Sequence, residues 1–216
     1  MINSCSGRHA LGVCAALAIL AGCGGPQAPI APVATSGIHS ATSYGNCPPL
    51  AGGTGILPDG DFSQGTNWGD QVPLYHNGQV FAPYWEVSKK NINFNGSTWG
   101  NVDGLCTVDL DGNVPGAIKS SAFSTKPGTS YTVSFILSGN GYGPPTVKTM
   151  KVSVAHQFAS YTWNISGGNN ALNGDWQVNT WVFKANQRSA VLHFTSEDPK
   201  GSVWGPVIAG ISVTEK

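Results

Sequence analysis

From residue 56 to the end of the chain, apolar and polar side chains alternate with a period of two. Tyr131, Val133, Phe135 and Leu137 alternate with Thr132, Ser134 and Ile136, and Met150, Val152 and Val154 with Thr149, Lys151 and Ser153. Trp181, Phe183 and Ala185 alternate with Val182 and Lys184; Ala190, Leu192 and Phe194 with Val191, His193 and Thr195; Ile211 and Val213 close the pattern. Successive side chains of an extended strand point to opposite faces, so this alternation predicts antiparallel strands with one face on a core and one in water. Turn-forming clusters separate the runs: Asp111-Gly112-Asn113, Lys126-Pro127-Gly128, Gly139-Asn140-Gly141, Gly167-Gly168-Asn169-Asn170 and Pro199-Lys200-Gly201. No long stretch carries the 3.6-residue period of a helix. The pattern predicts an all-β domain over residues 56–216, two antiparallel sheets packed as a jelly-roll sandwich. Trp85, Trp163 and Trp181 lie in or beside the alternation and are assigned to its core.

The first part of the chain has a different pattern. Residues 11–22, LGVCAALAILAG, form a short apolar run after a segment that carries one Arg and one His. A membrane-crossing helix needs roughly 20 apolar residues, so the run fits the central part of an export signal instead. It ends in Leu20-Ala21-Gly22-Cys23, which resembles a bacterial lipobox. That resemblance implies cleavage before Cys23 and lipidation of its thiol, with ordinary secretory cleavage as the alternative. The protein would then be lipid-anchored at the bacterial cell envelope, and Gly24, rather than Asp, after the cysteine is similar to the outer-membrane pattern. Residues 1–22 are thus expected to be a signal peptide. Residues 23–55, rich in Pro, Gly, Ser, Thr and Ala, are expected to be a flexible tether.

Composition narrows the function. Lys plus Arg and Asp plus Glu number 11 each, giving a formal charge of +0, with only 10% of residues charged. Nucleic-acid binding draws on a basic surplus, which this chain lacks. The five histidines are scattered without metal-ligand spacing, and neither a nucleophile elbow nor a phosphate loop is present. No cofactor and no catalytic set is expected. Of the cysteines that remain after the signal and Cys23, Cys47 and Cys106 either form one disulfide in an oxidising compartment or leave Cys106 as a small buried side chain.

A series of short motifs resembles one family. Leu57-Pro58-Asp59-Gly60-Asp61-Phe62, Tyr84-Trp85-Glu86-Val87, Val108-Asp109-Leu110-Asp111-Gly112, Pro127-Gly128-Thr129-Ser130-Tyr131, Leu137-Ser138-Gly139-Asn140 and Gly205-Pro206 follow one another in order. They are similar to the choice-of-anchor C family, catalogued as a domain of unknown function, whose plant members are cell-wall proteins. The resemblance implies a galactose-binding-domain-like jelly roll, the fold of many carbohydrate-binding modules. A structural calcium of such folds is made doubtful by Ser63 and Ala209, which stand where oxygen ligands are usual.

Sugars offer apolar C–H faces and hydroxyl rings, which aromatic platforms and side-chain amides recognise. The turn-rich segments supply Tyr75, Trp99 and Tyr142 as candidate platforms and Asn95 and Asn140 as candidate amides. Asp109 and Asp111 are assigned to the polar face of a strand, and Asp59 and Asp61 to a turn that binds backbone. The leading expectation is a non-catalytic glycan-binding lipoprotein. A structural or adhesion domain that docks a protein partner is the alternative, and a polysaccharide hydrolase the third.

Overall fold

The computed structural model describes residues 47–66, 72–96, 99 and 102–216. The expected signal at 1–22, Cys23 and the tether up to residue 46 lie outside the described residues. The described residues form fourteen strands: β1 Leu74–His76, β2 Val80–Ala82, β3 Trp85–Lys89, β4 Asn91–Gly96, β5 Thr107–Asp109, β6 Ala117–Ser120, β7 Phe123–Ser124, β8 Ser130–Gly139, β9 Val147–Val154, β10 Gln157–Asn164, β11 Gln177–Lys184, β12 Ser189–Ala190, β13 His193–Ser196 and β14 Pro206–Glu215. One six-stranded sheet has the order β1-β4-β5-β14-β8-β11, and a second has the order β10-β9-β13-β6-β3-β2. The described pairings are antiparallel, apart from an isolated parallel bridge between Gly55 and Val213. This is the two-sheet sandwich that the alternation predicts.

The alternating residues meet between the sheets. Val133, Phe135 and Leu137 from β8, Met150, Val152 and Val154 from β9, Phe194 from β13 and Ile211 and Val213 from β14 are all buried in one core. Phe135 contacts Phe194 edge to face at 5.3 Å between ring centroids, and Trp85 packs on Phe62 at 5.1 Å. Edge-to-face pairs of this kind add to the area they bury. Trp85 also donates its indole N–H to the Asp59 carbonyl at 2.8 Å, so its one polar atom is satisfied inside the core. Trp163 is buried as expected, while Trp181 is half-buried at the margin of the core.

The start of the domain moves forward relative to the composition-based boundary. Cys47 is joined to Cys106 with a Cα–Cα distance of 5.4 Å, which settles the two cysteine readings in favour of the disulfide. The Leu50 N–H donates to an Asp61 carboxylate oxygen at 2.7 Å, and Ile56 N–H donates to the Val213 carbonyl at 2.9 Å. Residues 47–55 are therefore fastened to the sandwich and do not form part of a free tether. Gly and Pro enrichment marks turns as readily as linkers, which is why composition placed them there. Asp59 and Asp61 hold backbone N–H groups of Gln64, Leu50 and Ser63, as the turn motif predicts.

Candidate functional site

Two of the expected platform residues lie side by side. The rings of Trp99 and Tyr142 are 6.1 Å apart, with 68° between their planes. By register, Gly96 at the end of β4 lies level with Thr107, Ala209 and Ile136, whereas Gly139 at the end of β8 lies level with Pro206. The two strands that lead to these aromatics thus finish three residues apart in register along the first sheet. Tyr142 is 67% exposed and Trp99 half-buried, so the two rings form an open corner.

The Tyr142 turn is held from below at three points. Asn140, which is buried, donates its amide to Asp109 Oδ2 at 2.7 Å and accepts the Tyr142 backbone N–H on its Oδ1 at 3.0 Å. The Lys148 Nζ donates to the carbonyls of Gly143, at 2.7 Å, and Trp204. Trp204 packs its ring so closely on Gly143 that a Cβ there would come within 2.5 Å of it. Gly141 is equally confined, since a Cβ would come within 2.4 Å of the Asn170 amide. A turn fixed in this way has little conformational freedom left to lose.

Beneath the turn is a buried charged cluster. Asp109 is 1% exposed and Asp111 fully buried, which corrects the expectation that both lie on a polar strand face. All three residues of β5 are buried, so both faces of the strand are covered. Asp109 accepts the N–H groups of Asp111 and Gly205 at 2.8 and 3.1 Å, and burial still pushes its carboxyl up to about 8. Asp198 accepts the Thr149 N–H at 2.6 Å, and burial pushes it up to about 7. Asp111, also raised by burial, faces Ser196, Ser202, Lys148 and Asp198. Lys148 is itself fully buried, and burial lowers its ammonium pKa while these three carboxylates raise it. Burial thus favours the protonated form of the three acids beside the one lysine. Among the described residues no three metal-ligating side chains converge.

The other expected site residues are placed elsewhere. Tyr75 is half-buried and packs towards the core, 6.0 Å from the Phe81 ring. Asn95 is fully buried beside a register shift in the β4–β5 pairing, and neither end of its amide has a hydrogen-bond partner. Asn140 commits its amide to Asp109 and to the Tyr142 N–H, so it fixes the Tyr142 turn. Sequence reasoning missed Lys148 and Asp198. For Lys148 a signal existed: it is in phase with Met150, Val152 and Val154, whose side chains all point inward.

A family 61 carbohydrate-binding module solved in complex with β-1,4-galactotriose is 15% identical, with a TM-score of 0.43, covering 75% of this chain and 99% of that one. A family 35 module from Paenibacillus barcinonensis is 14% identical, with a TM-score of 0.41, covering 67% of this chain and 99% of that one. Halomucin of Haloquadratum walsbyi is 27% identical over 131 residues, which is 61% of this chain and 1% of halomucin. The chain therefore spans about a hundredth of that relative's length. Residues 55–214 match the family model described as protein of unknown function DUF642, and the chain belongs to that family.

Proposed function

We propose that this domain binds glycan without cleaving it, at the corner formed by Trp99 and Tyr142. One observation carries the reading: two aromatic rings lie 6.1 Å apart, and Tyr142, 67% exposed, stands on a turn locked from below. Planes inclined at 68° do not make a flat bed for a crystalline polysaccharide. They form an angle that receives the C–H faces of one sugar ring, at a chain end or a branch. Against cleavage, a glycosidase needs two carboxyl groups facing each other across an open cleft, about 5–9 Å apart. The carboxyl groups below this corner are buried, and Asp109 and Asp198 accept backbone N–H groups.

The test is calorimetric titration of soluble oligosaccharides into the domain, with Trp99→Ala and Tyr142→Ala alongside. Loss of either ring should lower affinity about tenfold, the scale of one well-packed aromatic contact. Unchanged affinity in both variants refutes the site.

The domain works, on this reading, outside the bacterial cytoplasm on a lipid anchor at Cys23, in the outer membrane. The support is the apolar run at residues 11–22 and the Leu20-Ala21-Gly22-Cys23 motif. Incorporation of labelled palmitate in a bacterial host, abolished by Cys23→Ser, checks the anchor. Sedimentation with inner rather than outer membrane refutes the location.

A further inference from the structure

The outer face of the second sheet carries a feature remote from the Trp99–Tyr142 corner. Following the register across it, Phe158 of β10 is opposite Ser153 of β9, and Ser153 is opposite His193 of β13. His193 is opposite Lys119 of β6, Lys119 opposite Glu86 of β3, and Glu86 opposite Val80 of β2. Directly opposed residues in a ladder share a face, so these six side chains form one row across the sheet. At about 4.8 Å per strand, the row runs roughly 24 Å from edge to edge.

The row lies along a trough. One hollow of about 770 Å³ includes Phe158, Ser153 and His193, and a second of about 340 Å³ includes Lys119, Glu86 and Val80. Val191 lines both, so the two hollows adjoin. Phe158 and Val80 leave 67% and 60% of their surface in water at the two ends. Between them the floor is polar, and its charges are already matched. Lys119 pairs with Glu86 at 3.1 Å, and beside the row Lys151 pairs with Glu197 at 3.4 Å. Burial and the nearby Lys119 both hold the His193 imidazolium below its usual pKa, which favours the neutral ring.

A second observation points to the same place. The hairpin joining β9 to β10 turns through Ala155 and His156, with φ of 49° and 68°. This left-handed region suits Asn-Gly, and it strains ordinary L residues. His156 lines the larger hollow, so the strained turn forms part of the trough wall.

The chemistry selects the occupant. The backbone groups of the inner strands are taken up by ladder bonds, so an added peptide strand finds no partner on this face. A matched ion pair, a hydroxyl, an imidazole and an exposed aromatic ring suit a chain with many hydroxyls, apolar C–H faces and no charge of its own. We propose that this trough is a second binding site, taking an extended run of a neutral polysaccharide laid across the strands from Phe158 towards Val80. The site stands apart from the Trp99–Tyr142 reading, and either can fail without the other.

Affinity electrophoresis in gels containing soluble β-galactan or β-glucan tests it, with calorimetry on neutral oligosaccharides of increasing length. The wild-type domain should be retarded, and its affinity should rise with oligosaccharide length. Phe158→Ala should weaken binding of long chains about tenfold, as expected for one exposed aromatic contact. Ser153→Arg, which fills the trough while leaving Phe158 in place, should do the same. Both positions lie on the outer face, and unchanged circular dichroism confirms that each variant folds. A Trp99→Ala/Tyr142→Ala double variant should keep the length dependence. The proposal is overturned by affinity independent of chain length, by long-chain binding unaffected by both trough variants, or by preference for polygalacturonate over the neutral chains. Failure of every neutral chain to retard the protein also overturns it, as does capture of a protein through Phe158 without glycan binding.

Discussion

Lys148 is the residue whose removal should reveal most about this molecule. Its ammonium is buried, donates to the Gly143 and Trp204 carbonyls, and supplies the positive charge facing Asp109, Asp111 and Asp198. Lys148→Met keeps the aliphatic stem and deletes only the charge and the donors. Removing one partner from a buried ion pair typically costs about 3–5 kcal/mol, because the remaining charge has neither water nor counter-ion. The acids here have a way to reduce that cost. Burial already pushes Asp109 up to about 8 and Asp198 up to about 7, so near pH 5 they hold protons and need no cation. The deficit should therefore grow with pH, approaching the full value near pH 8 and shrinking near pH 5. For a domain of this size about 1 kcal/mol moves the melting temperature roughly 2–4 °C, so at pH 8 the variant should melt roughly 6–20 °C early. Urea titrations of both proteins at the two pH values measure the difference directly. A deficit below about 1 kcal/mol at pH 8, or one that is equal at both pH values, refutes the account of the cluster.

Three further outcomes follow from the same structure. The wild-type domain should lose stability as pH rises from about 4 to about 8, contrary to ordinary acid denaturation. Asp59, Asp109 and Asp198 have folded-state values raised by burial to about 7, 8 and 7, so the native state holds protons that the unfolded chain has released, which urea midpoints across that range will show. Removing the Cys47–Cys106 bond as a double alanine variant should cost about 4 kcal/mol in urea unfolding, since the bond closes a loop of sequence separation 59. Gly143→Ala should shift Trp fluorescence and weaken glycan binding, because its methyl group meets the Trp204 ring and forces the Tyr142 turn to move.

The strands were legible because each buries one face, and a half-buried strand shows its period in the sequence. Val133, Phe135 and Leu137 are buried on the schedule that the alternation predicts. Asp109 and Asp111 mislead the same rule because β5 is covered on both faces, so a polar residue there signals a buried network rather than solvent. At the candidate site the exposure of Tyr142 was legible, but the burial of Tyr75 and of the two amides was not. Tyr142 is exposed and Trp99 half-buried, Tyr75 packs towards the core, and Asn95 and Asn140 are buried, because Asn serves turns and bulges as readily as ligands. The row from Phe158 to Val80 could not be read from the sequence. Its members come from six separate strands and align only once the register is known.

The Cys47–Cys106 bond also decides how the domain bears a mechanical load. A pull on the chain ahead of Cys47 passes through sulfur to Cys106, one residue before β5. That strand is bonded to β4 on one side and β14 on the other, well inside the sheet. Without the bond, force would travel along residues 48–55 and strip their few hydrogen bonds one after another. With it, force arrives at an interior strand whose ladders must give way together, so the domain is gripped at its middle rather than by a loose end.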